Sequence, residues 1–144
     1  MFQNPGDEEL KELLAKSKTI AVVGLSDRPE RDSYRVARYM QEKGYRIIPV
    51  NPRVSEVLGE KAYPDLASVP EQVDVVNIFR RSEEVPAVVK DALPRKPAAI
   101  WMQLGVVNEE AAALAKSHGV QVIMDRCIKI EHGRLLAGEG GAGT

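Results

Sequence analysis

The sequence predicts an α/β fold in which about five parallel strands form a doubly wound sheet between two layers of helices. Short apolar runs alternate along the chain with longer amphipathic segments, which is typical of strands connected by helices. The run at 73–79 is mostly apolar, as expected of a strand buried on both faces. Gly24 follows the first apolar run and opens a polar loop, as in a nucleotide-binding βαβ unit. We therefore expect a three-layer, Rossmann-like architecture.

Local signals place the individual elements in chain order. Asp7 can cap a first helix whose leucines share one face. Gly44 and Gly119 can end later helices, because glycine adopts the left-handed cap conformation at low cost. Asn108 suits a helix cap, and Pro86 fits only the first turn of a helix. The predicted strands are 19–24, 46–50, 73–79, 98–103 and 120–124, and the predicted helices are 8–16, 33–43, 82–93 and 109–118.

Three segments give weaker patterns. The loop before the third strand contains Pro64 and Pro70, so we expect an irregular path with a short extended piece around Tyr63. The segment 128–136 is predicted to be a terminal hairpin or short strand. Residues 138–144 read as a flexible, glycine-rich tail.

Composition limits the class of protein. With 144 residues, the chain is expected to form a single domain over 1–144, whose first helix lies within residues 1–16. Its formal net charge of −1 argues against nucleic-acid or membrane binding by a general electrostatic field. A single cysteine excludes an internal disulfide, and the chain has neither a secretory pattern nor an apolar run of membrane-spanning length. A cytoplasmic location is the expectation.

Topology selects the candidate site, because ligands of doubly wound sheets bind beyond the carboxyl ends of the strands. The segments at these positions are 24–33, 51–53, 79–81, 103–105 and 125–127.

The first of these segments has the chemistry of a phosphate site. Free N–H groups at a helix N-terminus favour an anion, and Gly24 allows close approach to the backbone. Ser26 and Ser33 can donate hydroxyl groups, and Arg28 or Arg31 can pair with a phosphate. The alternative is a tight turn at Gly24, a helix cap at Ser33, and two solvated arginines.

The second segment, Asn51-Pro52-Arg53, lies where dinucleotide-binding proteins select their ribose. Those proteins usually carry an acidic residue where this chain has Asn51, and their loops carry three glycines where this loop has one. A cation at Arg53 suits a phosphate on or near the ribose. The alternative is a turn shaped by Pro52 with an exposed arginine.

Phe79, Arg80 and Arg81 follow the third strand. An aromatic ring or a guanidinium plane here can flank an adenine, while the other arginine contacts phosphate. An ordinary charged strand end would have the same sequence.

The last two segments carry weaker signals. Gln103 is a neutral hydrogen-bonding side chain, and Gly105 allows close approach, whereas Trp101 is expected in the core. Cys127 is expected to be a small buried residue rather than a nucleophile. His118 and His132 have no partner at a spacing typical of catalysis or metal binding, so no catalytic or metal-ligating residue is predicted.

Over about residues 17–136, the chain resembles small single-domain coenzyme A-binding proteins and the N-terminal domain of the succinyl-CoA synthetase alpha subunit. The segments that carry this resemblance are VVGLS at 22–26, the serine at 33, PVNPR at 49–53, VVNIFRRSEEV at 75–85, WMQLGVVNEEA at 101–111 and DRC at 125–127.

The resemblance implies specific contacts with coenzyme A. The synthetase loop that holds the CoA phosphates corresponds to Gly24, Leu25, Ser26 and Asp27 of this chain. A lysine of the synthetase is matched approximately by Arg53. The CoA-contacting segment after the fourth strand falls on Met102, Gln103 and Leu104. The synthetase carries its phosphohistidine on a further domain, so the resemblance implies a binding fold and no reaction.

These observations predict a non-catalytic module that binds coenzyme A or an acyl-CoA, a small-molecule ligand. One alternative is an NAD(P)-binding oxidoreductase or redox-sensing module, since Arg53 also suits the 2′-phosphate of NADP. Another is an interaction protein whose nucleotide fold binds no ligand. The acyl group, a protein partner and the oligomeric state are left open.

Overall fold

The computed structural model describes residues 2–137, and the tail predicted at 138–144 lies outside the described residues. Within the described part, the strands are β1 Thr19–Val23, β2 Arg46–Val50, β3 Glu56–Val57, β4 Glu60–Lys61, β5 Val75–Ile78, β6 Ala99–Met102 and β7 Gln121–Ile123. The helices are α1 Asp7–Lys16, α2 Asp32–Glu42, α3 Val85–Ala92, α4 Glu109–Ser117 and α5 Ile128–His132. The predicted α/β class is confirmed, and each long predicted strand is present.

The main sheet has five parallel strands in the order β2-β1-β5-β6-β7. From β1 the chain passes to one side to form β2 and then crosses back to form β5 on the other side. The place where the direction reverses is therefore the crevice between the carboxyl ends of β1 and β5, where ligands of doubly wound sheets bind. If the five sheet strands alone are numbered along the chain, without β3 and β4, their order is 2-1-3-4-5. Dinucleotide-binding domains have the different order 3-2-1-4-5-6.

Both faces of the sheet are covered, which confirms the three predicted layers. Alternation along each strand sends successive side chains to opposite faces. On one face Ala21 and Val23 pack with α3 and α4. On the other face Ile20 and Val22 pack with α1, α2 and α5.

The loop after β2 contains a small hairpin that the sequence pattern did not reveal. Strands β3 and β4 pair in antiparallel fashion. Beyond them, Tyr63 forms a single parallel bridge with Val50, at the position where an extended piece was predicted. The loop therefore follows the outer edge of β2 toward the carboxyl end of the sheet.

The prediction of a hairpin or strand at 128–136 is wrong. The segment forms α5 and then a π-helical turn, Gly133–Ala137. The side chain of Arg134 donates to both carboxylate oxygens of Asp7 at 2.9 and 2.8 Å, and to Glu131 at 2.7 Å. Asp7 is the first residue of α1 rather than its cap, which is Gly6. These ion pairs join the two ends of the described chain, and the Arg134 partner lowers the pKa of Asp7.

His132 is buried inside this C-terminal packing. Its Nδ1 lies 3.0 Å from the hydroxyl oxygen of Tyr39, and its ring makes edge contacts with the rings of Tyr39 and Tyr45. Burial lowers the pKa of His132, and the positive charge of Lys43 lowers it further. The folded state therefore favours the neutral imidazole.

We expect stability to fall as the pH is lowered through the usual histidine range. A histidine of the unfolded chain binds its proton near pH 6.5, whereas His132 of the folded chain binds it only at lower pH. Between those two values the unfolded state holds more protons, so the free energy of unfolding rises with pH. Thermal unfolding between about pH 5.5 and 7.5 should show this slope, and His132→Gln should flatten it.

The matched control for this experiment is His118→Gln, which alters the exposed histidine at the end of α4. A slope that persists in His132→Gln but disappears in His118→Gln would contradict the assignment.

Candidate functional site

Gly24 occupies the turn at the carboxyl end of β1 for a reason of packing. Its φ is +89°, and a Cβ atom built on it would lie well inside 3.0 Å of the carbonyl oxygen of Phe79. Its N–H donates to the carbonyl of Val50 at 2.8 Å. The sequence predicts that this glycine leaves room for a ligand, and the close approach of the β5 end requires a glycine here in any case.

Two side chains brace the loop that follows Gly24. The N–H of Ser26 donates to Ser33 Oγ at 3.0 Å, and Asn51 Nδ2 donates to the carbonyl of Leu25 at 2.9 Å. The side chain of Leu25 is fully buried. The loop is thus held by hydrogen bonds from both sides.

Several predicted contacts therefore have structural roles. Ser33 is buried and accepts the hydrogen bond of the loop, while α2 begins one residue earlier at Asp32 with Arg31 at its N-cap position. The side chains of Leu25 and Met102 are both buried in the core. Neither side chain reaches the surface of this structure, and the predicted contact of Leu25 and Met102 with a ligand stays a prediction.

The turn after β2 exposes a cation. The Arg53 N–H donates to Asn51 Oδ1 at 2.9 Å, which fixes the backbone of the turn. Pro52 and Arg53 are both exposed. Asn51 is half-buried, and its amide holds two backbone groups rather than facing outward.

Four arginines at this edge of the sheet lack carboxylate partners. Within residues 2–137, the guanidinium groups of four arginines make no hydrogen bond or ion pair; they are Arg28, Arg31, Arg53 and Arg80. All four come from the predicted ligand segments. Several other arginines pair with carboxylates, as Arg35 does with Asp32 and Arg46 does with Glu60 and Glu71. Positive charge is therefore left uncompensated where an anion is expected. Asp27 also lies in this first loop and is exposed.

The three residues after β5 point in different directions. Phe79 is half-buried against the α2 side of the sheet. Arg81 pairs with Glu83 and Glu84, so its charge is neutralised locally. Arg80 has an aliphatic carbon 3.5 Å from the Cβ position built on Gly24. Of the two predicted arginines, Arg80 is the one beside the crevice.

Arg80 also lines a cavity of about 210 Å³ at this crevice. Val23, Val50 and Pro64 form apolar parts of its wall. Carboxylates also line it, from Asp65, Glu84 and Asp91. Sequence reasoning missed these wall residues, because they come from segments far apart in the chain and carry no common motif.

The loop after β6 presents an apolar surface. Leu104 is 61% exposed and Val107 is 43% exposed. No atom lies within 4 Å of the Cβ position built on Gly105, and its N–H donates to Asp125 Oδ1 at 2.7 Å. Gln103, in contrast, is buried, and its Oε1 accepts a hydrogen bond from Asn77.

Two further side chains that the sequence predicts to be buried are Cys127 and Trp101. Cys127 is buried in the core beside α5 and Trp101 is fully buried, as predicted for both. The Nε1 of Trp101 donates to the carbonyl of Arg126. Among the described residues no group of three or more His, Cys, Asp or Glu side chains is placed to hold a metal ion.

The fold is that of a Rossmann-like α/β domain, with a five-stranded parallel sheet covered by helices on both faces. Its family is shown by a match to the CoA binding domain over residues 18–133, so the chain belongs to the CoA-binding domain family. In the same described residues no helix combines the length and apolarity needed to cross a membrane.

Known relatives fall into two size classes. Protein YneT of Bacillus subtilis strain 168 is 52% identical over 131 residues, covering 91% of this chain and 97% of YneT. The structure of a hypothetical protein of Pyrococcus horikoshii OT3 has a TM-score of 0.90 and 36% identity, covering 94% of this chain and 98% of that one. The ADP-forming acetate–CoA ligase of Methanocaldococcus jannaschii is 24% identical over 132 residues, which are 86% of this chain but 19% of the ligase.

Proposed function

We propose that this protein binds coenzyme A or an acyl-CoA at the carboxyl edge of its sheet and catalyses no reaction on it. The observation that carries the proposal is the set of unpaired arginines at that edge, Arg28, Arg31, Arg53 and Arg80. Family membership supports a CoA-type ligand for this charge.

The edge offers a matching surface for each part of coenzyme A. The pyrophosphate suits the braced loop at 24–28 together with Arg28 or Arg31, because guanidinium groups bind phosphate with two donors. The ribose phosphate suits Arg53. The adenine suits the cavity at Arg80, where a guanidinium plane can stack on the ring. The aliphatic pantetheine arm suits the exposed apolar surface of Leu104 and Val107.

A second ligand class is supported by one of the same observations. The unpaired Arg53 suits the 2′-phosphate of NADP as well as the 3′-phosphate of CoA. The strand order and the single-glycine loop favour CoA, because dinucleotide domains use a different order and a three-glycine fingerprint. An NADP-binding module is therefore the rival that an experiment must separate.

The absence of catalysis is proposed from the surroundings of the candidate nucleophile. Cys127 is buried, and among the described side chains no histidine or carboxylate forms a hydrogen bond with it. A nucleophilic thiol needs a neighbouring base or cation to become a thiolate.

Thermal unfolding with CoA, 3′-dephospho-CoA, NADPH and NADP⁺ at equal concentrations tests the proposal. A ligand that binds only the native state at 100 times its Kd stabilises it by about 2.7 kcal/mol. We expect the largest shift with CoA, and we expect acetyl-CoA to be recovered chemically unchanged after incubation. A larger shift with NADPH than with CoA would favour the rival, and no shift with any ligand would refute both. Turnover of acetyl-CoA that is lost in Cys127→Ser would refute the non-catalytic part.

A further inference from the structure

Asn51 joins the two cationic segments of the candidate site. Its Nδ2 donates to the carbonyl of Leu25 at 2.9 Å, and its Oδ1 accepts from the N–H of Arg53 at 2.9 Å. One short side chain thus connects the phosphate-type loop after β1 with the turn after β2. Both bonds are of normal length, and each satisfies a backbone group.

The Leu25 carbonyl that Asn51 holds belongs to a loop with little freedom of its own. Leu25 has a fully buried side chain, and the next residue is held by Ser33. The neighbouring Gly24 is held by Val50. The loop after β1 is therefore rigid, and the hydrogen bond from Asn51 to it fixes the position of the turn that contains Arg53.

We infer that Asn51 is a positioning residue that fixes Arg53 relative to the phosphate loop and so determines recognition of the ribose phosphate of the ligand. This inference rests on the proposed function, because it assigns a specificity role within the same site. The Arg53 guanidinium group carries the charge, and the Asn51 side chain fixes the backbone from which that group extends. Without this brace the exposed arginine side chain samples more orientations, which lowers its contribution to binding.

The amide is the chemical group that this position requires. A carboxylate accepts hydrogen bonds only, so an aspartate could hold the N–H of Arg53 but would face the Leu25 carbonyl with no proton to donate. This gives a structural reason why Asn51 stands where dinucleotide-binding proteins usually carry an acid. The Asn51 side chain bonds two backbone groups of the protein, whereas the acid of dinucleotide-binding proteins bonds a ribose hydroxyl.

A double-mutant cycle tests the inference with two ligands that differ by one phosphate. CoA and 3′-dephospho-CoA are titrated calorimetrically into the wild type, Asn51→Ala, Arg53→Ala and the double variant. We expect the wild type to prefer CoA by about 10-fold or more, the range of one charge-assisted pair. That preference should fall toward one in each variant, and the double variant should lose little beyond Arg53→Ala, because both changes remove the same recognition.

Control variants separate positioning from general damage. Asn4→Ala removes a matched pair of amide bonds, to the N–H and carbonyl of Met124 beyond β7, and should leave the preference unchanged. Arg38→Ala removes an exposed arginine on α2 that pairs with Glu42, away from the edge. This variant should also leave the preference for CoA unchanged. Asn51→Ser keeps a hydroxyl acceptor for the Arg53 N–H but is too short to reach Leu25, so it should retain part of the preference for CoA. This variant replaces Asn51→Ala in the cycle if the alanine variant fails to fold.

The possible outcomes distinguish this inference from the proposed function. A wild type that binds neither CoA nor dephospho-CoA would refute both. A wild type that binds the two ligands equally, or an Asn51→Ala variant that keeps the wild-type preference, would overturn the positioning role and leave CoA binding standing. A preference lost in Asn51→Ala and Arg53→Ala but kept in Asn4→Ala would support it.

Discussion

Replacing Gly24 by alanine is expected to destabilise the fold by about 2–5 kcal/mol, combining the cost of a left-handed residue with that of overpacking. The added methyl group would lie well inside 3.0 Å of the Phe79 carbonyl oxygen, and both atoms belong to the backbone region where β1 and β5 end. Neither backbone segment can move away without breaking a hydrogen bond, because the Gly24 N–H donates to the Val50 carbonyl and the Phe79 N–H donates to the Val23 carbonyl.

A second glycine isolates the steric part of this cost. Gly44 after α2 has a φ of +102°, but no atom lies within 4 Å of its built Cβ position. Gly44→Ala should therefore cost only the conformational part, about 1–2 kcal/mol. Urea unfolding followed by fluorescence of the single tryptophan measures both variants. Equal decreases in the free energy of unfolding of the two variants would show that the contact with the Phe79 carbonyl is not the reason for a glycine at position 24.

Replacing Trp101 by alanine is expected to cost a similar amount, about 3–5 kcal/mol, the range for large aromatic residues in a core. Trp101 is fully buried in β6, and its indole N–H donates to the Arg126 carbonyl at 2.9 Å. The alanine variant leaves a cavity beneath the carboxyl edge and releases the segment that follows β7. Its unfolding is measured by circular dichroism, since the variant has no tryptophan.

Trp101→Phe separates the packing from the hydrogen bond. The phenyl ring retains most of the buried volume, and only the bond to Arg126 is lost, so the expected cost is about 0.5–1.5 kcal/mol. A phenylalanine variant as unstable as the alanine variant would mean that the hydrogen bond, and not the packing, stabilises this part of the sheet.

We expect the unpaired arginines to carry a stability cost that binding of an anion would remove. Four guanidinium groups lie at one edge without carboxylate partners in the described residues, and like charges repel. Departures of this kind from local electrostatic balance are expected at functional positions. Phosphate binding would therefore both satisfy these groups and stabilise the native state.

The regular elements were predictable from the sequence because their signals are local. Apolar runs predicted the five parallel strands, and the termini differ from the observed ones by at most two residues. Asn108 accepts a hydrogen bond from the Ala111 N–H, as its predicted capping role requires. Gly44 and Gly119 both have positive φ at the ends of helices, as predicted.

The C-terminal segment was mispredicted because its local pattern is ambiguous. Ile128 and Ile130 alternate with polar residues, which favours a strand when the sequence is considered alone. In the structure Ile130 is exposed, and the buried side chains of α5 follow helical spacing. Distant partners decide the outcome, since Arg134 binds Asp7 and His132 contacts Tyr39.

The sequence by itself determined the α/β class, the strands and helices, and the segments that meet at the ligand edge, because each depends on periodicity and on residues close in the chain. Only the tertiary structure decided the strand order, the cavity at Arg80 and the separate roles of the predicted site residues. It showed that packing requires a glycine at position 24 and that Asn51 joins Leu25 to Arg53 through two hydrogen bonds. These features depend on atoms of different strands approaching within hydrogen-bond or van der Waals distance, which no local sequence signal records.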